Sequence, residues 1–352
     1  VSDVKIKSYY NFSKLLSYNA VYNFAVGGRG IGKTYGSKRL DIKTAIRTHQ
    51  ENPGMCDQFI YMRRYKEELA LSRDTYFADV QHEFPEWDFR IQGKEAQMCE
   101  AKFRNEKRRE WHTIGYFVAL SVAQSYKSVA FPRVKKIVFD EFILEKSATH
   151  YLPNEAQIFN NFFSTVDRYK DKTRVLFLAN SVRIENPYFI EFKIDPDTSD
   201  DEGFARLYGG FVVAHFIHSD EFNAEVYTTR FGGFIRGTEY ADYAVGNQFR
   251  DNRKTLIGRK PSGASYTLTL ELDSGTFSIW YDIRGGVYYV QKKRPAAQEK
   301  LFTLSPDNMS EGKTLFTKTD KPLQMLRTAF RHDRMRFDYA ATRNAFMEVF
   351  KT

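Results

Sequence analysis

The run Gly27-Gly28-Arg29-Gly30-Ile31-Gly32-Lys33-Thr34 constrains this chain more than any other feature. One glycine, four residues and then Gly-Lys-Thr is the spacing of a Walker A phosphate loop, which requires a buried strand before it and a helix after it. The flanks comply: Val21, Phe24, Ala25 and Val26 read as the strand, and Thr34 onward, with Tyr35, Leu40 and Ile42, reads as the helix. In that setting the backbone N–H groups of Gly27 to Thr34 and the positive end of the helix hold phosphates. Lys33 reaches the outer phosphates and the Thr34 hydroxyl ligates magnesium. ATP and Mg2+ are the expected cofactors.

The remaining strong strands are Gln58-Phe59-Ile60-Tyr61-Met62, Tyr116 to Leu120, Ile137-Val138-Phe139 and Val175 to Leu178. The last two lack polar alternation, as strands covered on both faces of a parallel sheet do. The expected fold is an α/β P-loop NTPase of the ASCE type, a parallel sheet flanked by helices. Tyr9, Tyr10, Phe12, Leu15 and Leu16 precede it as a packed segment that could border an adenine pocket, and the charges crowded between Glu95 and Glu110 read as a solvated excursion.

At 352 residues the chain exceeds one comfortable core, so two domains are expected. The acidic, turn-rich run Asp195 to Gly203 marks the edge of the first. The expected division is 1–197 for the ATPase domain, 198–231 for a linker and 232–352 for a smaller α+β domain. In that last part Tyr266 to Leu272, Thr276 to Ile283 and Val287 to Lys293 read as a meander turned at Ser274-Gly275 and Gly285-Gly286, with helices near Leu323 to Phe330 and Ala340 to Phe350.

Net charge is +9, and after Phe231 20 Lys and Arg stand against 13 Asp and Glu. A basic excess concentrated there favours a polyanionic partner. Cys56 and Cys99 are far apart and fall in no metal-ligand spacing, which fits a reduced, cytoplasmic setting. The expectation is a soluble chain with no membrane partner, since there is no signal-peptide pattern and no apolar run of about 18 residues.

Asp140 and Glu141 follow the strand Lys136-Ile137-Val138-Phe139 in a Walker B arrangement. Asp140 is expected to hold magnesium through water, and Glu141 to orient or deprotonate the attacking water. A carboxylate directly after the Walker B aspartate points to an ATPase. Asn180 ends the strand Val175 to Leu178, where its amide could reach the γ-phosphate or the water; a turn-forming role is the alternative. Arg168, Lys170, Lys172 and Arg174 lie between a helix, Glu155 to Val166, and that strand. An arginine lent to a neighbour's ATP would make hydrolysis depend on assembly. Arg168 is preferred, although sequence does not separate it from Lys170, and Lys127 is a weaker candidate.

Gly27 to Thr34 with Arg29 inside it, Arg63-Arg64-Tyr65-Lys66, Leu120-Ser121-Val122 with Gln124-Ser125 and Lys127, Ile137 to Phe142, and Tyr151-Leu152-Pro153-Asn154-Glu155 together resemble the DNA-packaging ATPases of phi29-like phages. The resemblance continues through Arg230-Phe231-Gly232, Gly237-Thr238-Glu239-Tyr240 and Asn247-Gln248-Phe249, nearly the whole chain. It implies a ring motor, expected to be a pentamer, docked on the portal of a procapsid in the host cytoplasm and driving double-stranded DNA through its centre. It also implies that Arg168 is a trans-acting arginine finger, Lys127 a second trans-acting cation and Lys66 a DNA-contacting residue. The C-terminal domain would resemble an RNase H-like nuclease fold without cutting DNA, its tasks being docking on a capsid-bound structural RNA and gripping DNA. Asp167, before the finger, stands where a relative of that family has an apolar residue.

Three other readings compete. In a nuclease-competent terminase, Glu271, Asp273 and Asp282 would converge on metal. A nucleic-acid-binding scaffold would hold ATP structurally. A helicase would need an array of aromatics beside cations, which is not evident.

Overall fold

The computed structural model describes residues 9–144, 150–180, 186–246, 256–273, 275–293, 295, 300–317 and 319–350. Ser274 and the signature Asn247-Gln248-Phe249 lie outside the described residues. The chain forms two compact units, one of residues 1–183 and 198–250, the other of 184–197 and 251–352.

The first unit is built on nine strands: β1 Tyr22–Gly27, β2 Gln58–Arg63, β3 Trp87–Gln92, β4 Glu95–Glu100, β5 His112–Ala119, β6 Val134–Asp140, β7 Arg174–Asn180, β8 Phe204–Leu207 and β9 Val212–Ile217. Their order is β3-β4-β5-β2-β6-β7-β1-β9-β8. The six strands from β5 to β9 in that order run parallel, and antiparallel strands extend both edges. β7 lies between the phosphate-loop strand β1 and the Walker B strand β6, the ASCE arrangement. β1 is buried along its whole length, as are all residues of β7 between its two ends. One face packs aromatic on aromatic, with Phe24 stacked on Phe177 at 4.2 Å and Phe159 of the helix Glu155–Asp167 at 4.8 Å from Phe177. The helix Lys33–Glu51 carries Ile42 and Ala45 into the first unit's other core.

The structure revises two expectations. Glu95–Glu100 is the strand β4, with Ala96, Met98 and Cys99 buried; only the segment after it, up to about Glu110, is a mainly exposed excursion. The segment 198–231 is no linker: β8 and β9 close the first sheet, and the helices Asp220–Thr228, Arg230–Ile235 and Glu239–Ala244 complete that unit. The boundary therefore falls near residue 250, and 184–197 is an earlier excursion into the second unit, where Asp195 meets buried Arg343 at 3.3 Å.

The second unit holds β10 Ser265–Leu272, β11 Gly275–Asp282, β12 Val287–Gln291, β13 Leu301–Thr303, β14 Lys313–Leu315 and β15 Met335–Phe337. β10, β11 and β12 are the expected antiparallel meander, β13 and β14 add parallel to β10, and β15 adds parallel to β12. This is an RNase H-like strand order with one further edge strand. Helices Lys321–Arg331 and Ala340–Phe346 carry Leu323, Leu326 and Phe346 into its core.

Gly232 explains part of the Arg230-Phe231-Gly232 signature. A Cβ there would collide with the Val226 carbonyl, a backbone atom that cannot step aside. Gly232→Ala is expected to lower stability by about 1–3 kcal/mol, read as a lower denaturation midpoint at constant slope; an unchanged midpoint would refute this packing.

Candidate functional site

Because the central strands run parallel, β1, β2, β6 and β7 deliver Gly27, Arg63, Asp140 and Asn180 to one edge of the sheet. The phosphate loop turns there with Gly30 and Gly32 at φ +77° and +89°, conformations that favour glycine over residues with a Cβ. Gly28 is held for a different reason: its Cβ position lies 3.0 Å from the carbonyl oxygens of Ala244 and Val245. Arg29 N–H donates to Ala244 O at 2.7 Å, so the end of the helix Glu239–Ala244 braces the loop. Lys33 is buried and its Nζ donates to Gly27 O at 3.0 Å, Gly28 O at 2.7 Å and Asn180 Oδ1 at 3.3 Å. Burial brings its ammonium down to about 8, against the pull of Asp140 and Glu141.

Thr34 Oγ1 lies 3.2 and 3.1 Å from the two carboxylate oxygens of Asp140. Tyr61 donates its hydroxyl to Asp140 Oδ2 at 2.8 Å, and burial first, then Asp140, pushes that phenol well above its ordinary range. Glu141 sits at φ +58° with an exposed side chain, which Arg63 holds at 2.5 Å. Arg64 is almost wholly buried beneath: it donates to Glu155 Oε2 at 2.7 Å, to Phe142 O at 2.7 Å and to Glu141 O at 3.4 Å, with its guanidinium over the Tyr151 ring at 4.9 Å. Two separate signatures, Arg63 to Lys66 and Tyr151 to Glu155, are thus one support under the Walker B turn.

These groups face a cleft of about 830 Å³, lined also by Tyr9, Tyr35, Arg39, His82 and Glu83. Its chemistry fits a nucleotide. An ammonium and loop N–H groups suit phosphate, a hydroxyl beside a carboxylate suits a hard cation, and the tyrosines offer faces to a base. Tyr35 bonds Glu83, which Arg39 also holds at 2.5 Å. The N-terminal segment expected near an adenine pocket does contribute Tyr9.

Arg168 and Lys127 are absent from that lining. The 13-residue helix Glu155–Asp167 starts under the Walker B turn and carries Arg168 about 20 Å along its axis. There Arg168 reaches Val129 O at 3.5 Å, in the segment just after exposed Lys127, so the two cations share a surface remote from their own chain's loop. Of the four cations, Lys172 is tied to Phe131 O at 2.7 Å and Arg174 to Asp171 at 3.0 Å; Arg168 and Lys170 stay exposed. Lys66 opens the helix Lys66–Asp74 and is exposed, three residues past Arg63. The carboxylates of the nuclease reading do not converge. Glu271 pairs with Lys313 at 3.0 Å, Asp273 accepts from Asn308 at 2.7 Å, and Asp282 lies at the opposite end of the β10–β11 hairpin from Glu271. No cluster of three or more His, Cys, Asp or Glu suited to a metal occurs among the described residues.

Lys33 gives a pH test. Its folded pKa, about 8, lies below the ordinary 10.5, so the unfolded chain binds more protons in that window and stability rises with pH across it. Relative to Lys33→Met, the nucleotide-free chain should gain up to about 3 kcal/mol between these limits, measured by denaturation. A difference that stays flat with pH would contradict the burial of a charged ammonium.

Residues 4–352 match the family described as podovirus DNA encapsidation protein (Gp16). The DNA packaging protein of Bacillus phage phi29 is 34% identical over 345 residues, 97% of each chain. That of Bacillus phage B103 is 32% identical over 341 residues, 96% of this chain and 98% of the relative. Among solved structures, the bacteriophage phi29 viral genome packaging motor assembly aligns at a TM-score of 0.66 and 34% identity, covering 98% of this chain and 99% of that one. The crystal structure of the N-terminal domain of the phi29 DNA packaging ATPase aligns at 0.50 and 37% identity, covering 59% of this chain and 96% of that domain. No helix among the described residues is long and apolar enough to cross a membrane. The cleft, the ASCE sheet and the full-length match agree that this chain belongs to the podovirus DNA encapsidation protein (Gp16) family.

Proposed function

We propose that the chain is an ATPase that moves double-stranded DNA into a procapsid from within a ring of identical subunits. The observation that carries this reading is a division of labour. Lys33, Thr34, Asp140, Glu141 and Asn180 meet at one cleft, whereas Arg168 and Lys127 stand on a surface away from it and so are available to a neighbour.

Magnesium ATP would supply an electrophilic γ-phosphoryl group and a leaving diphosphate. Lys33 leaves the carbonyls of Gly27 and Gly28 for phosphate oxygens, which compensate its burial better than neutral acceptors do. Gly30, Ile31, Gly32 and Arg29 line the same loop. Thr34 and Asp140 hold the cation. Glu141 accepts the proton of the attacking water once Arg63 releases it; while the 2.5 Å pair persists, its carboxylate is engaged by Arg63. Asn180, bonded to Lys33, senses the outer phosphate. Arg168, with Lys127 beside it, stabilises charge on the phosphoryl group of the neighbour.

Lys66, exposed at the start of the helix Lys66–Asp74 and three residues past Arg63, faces the DNA. Contacts of that kind go to phosphates and carry little sequence information, which makes packaging sequence-tolerant and salt-sensitive. The ring is expected to be a pentamer docked on the portal in the host cytoplasm, with the basic second unit suited to DNA or to a structural RNA. Full-length similarity to a subunit of the phi29 packaging motor assembly supports the ring.

Mixing Lys33→Ala subunits with Arg168→Ala subunits tests the trans arrangement. Each alone should lose ATP turnover by about three orders of magnitude or more, and mixtures should regain activity at interfaces that join an intact loop to an intact finger. Silence at every mixing ratio would count against it.

A further inference from the structure

The turn that carries Arg168 is built in an unusual way. Arg168, Tyr169 and Asp171 all adopt left-handed backbone, at φ +53°, +55° and +49°, which L-residues avoid as neighbours. One side chain organises them. The carboxylate of buried Asp167 accepts four consecutive backbone N–H groups: Lys170 at 2.9 Å and Asp171 at 3.0 Å on Oδ2, Lys172 at 2.9 Å and Thr173 at 2.9 Å on Oδ1. A carboxylate at a helix C-terminus normally opposes the helix dipole, so its presence here needs a local reason. The far side of the turn is anchored too, since Thr173 bonds Val134 O at 3.2 Å and the Lys172 ammonium bonds Phe131 O. Projecting from this rigid base are the Arg168 guanidinium and the Tyr169 ring, which is 92% exposed.

We propose that Asp167 is a positioning residue: its four N–H bonds set the left-handed turn that presents Arg168 and Tyr169 as a preformed finger to a second copy of this chain, with the Tyr169 ring buried against that copy. The proposal rests on the reading of Arg168 as acting in trans. Within it, the geometry assigns Asp167 to alignment and Tyr169 to adhesion. The finger then closes without first ordering a loop, which spares the binding step that entropy. Burial alone would raise the Asp167 pKa, yet the four N–H bonds outweigh it and hold the carboxyl below its ordinary range, so the turn stays intact at neutral pH.

The test uses full-length protein with duplex DNA and procapsids. Asp167→Asn keeps the size but leaves two N–H groups facing an amide donor. It should lower the maximal rate of ATP turnover on the order of 100-fold, the cost of a misplaced group, while affinity for ATP in the isolated subunit is unchanged. Mixed with Lys33→Ala subunits, whose turn is intact, it should recover turnover, which a globally damaged chain would not. Tyr169→Gly suits left-handed backbone yet removes the ring, and should raise the protein concentration for half-maximal turnover about tenfold. If Arg168→Ala abolishes turnover while Asp167→Asn and Tyr169→Gly behave as wild type, this proposal is overturned and the trans finger stands. If Arg168→Ala retains turnover, the trans reading itself fails. Should Asp167→Asn fail to fold, Tyr169→Gly alone decides: an unmoved concentration dependence overturns the finger as an adhesive element.

Discussion

The register of three parallel strands is the constraint on which the site depends. Gly27 of β1 lies opposite Asn180 of β7, and Asp140 of β6 opposite Leu178. A slip of one residue would turn every side chain to the other face, parting Asp140 from Thr34 and Asn180 from Lys33. The slip is resisted because these strands are buried on both faces, one of them by aromatic side chains of defined shape, the stacked Phe24–Phe177 pair among them. Core packing thereby sets the distances at which the polar groups meet.

Around that edge, charged groups are buried only where they are fully engaged. Arg64 and Glu155 are both about 1% exposed; a buried pair of this kind contributes little net stability, but losing one partner typically costs about 3–5 kcal/mol. Its effect is geometric, since Arg64 also grips the carbonyls of Glu141 and Phe142 and so fixes the turn whose φ is positive at Glu141. The turn after Asp167 follows the same logic. Left-handed residues cost roughly 1–2 kcal/mol each, whereas hydrogen bonds to a charged acceptor contribute about 1.5–3 kcal/mol each, so four of them outweigh three strained residues.

Much of the first unit was legible in the sequence because it depends on local signals. The loop glycines require positive φ or close approach, and the apolar runs of β6 and β7 are long enough to mark buried parallel strands. The parts missed depend on partners distant in sequence. Glu95–Glu100 carries two glutamates and a glutamine and reads as solvated, yet pairing with β3 and β5 makes it a strand. The turn-rich start at Asp195 hid β8 and β9, which find their places only beside β1. The brace of Ala244 on the Arg29 N–H uses a backbone carbonyl and leaves no side-chain signature. The Arg64–Glu155 pair could have been inferred only by linking two signatures 91 residues apart. Four N–H groups on Asp167 are a backbone event, and the sequence showed only an acid next to an arginine.

The central claim is that Glu141 acts as the base whose release from Arg63 lets phosphoryl transfer drive DNA movement. It is tested most directly by measuring ATP turnover and nuclease-protected DNA in the same packaging reaction with Glu141→Gln. The account predicts that both fall together by orders of magnitude while ATP binding persists. Continued protection of DNA by Glu141→Gln in the absence of turnover would contradict it.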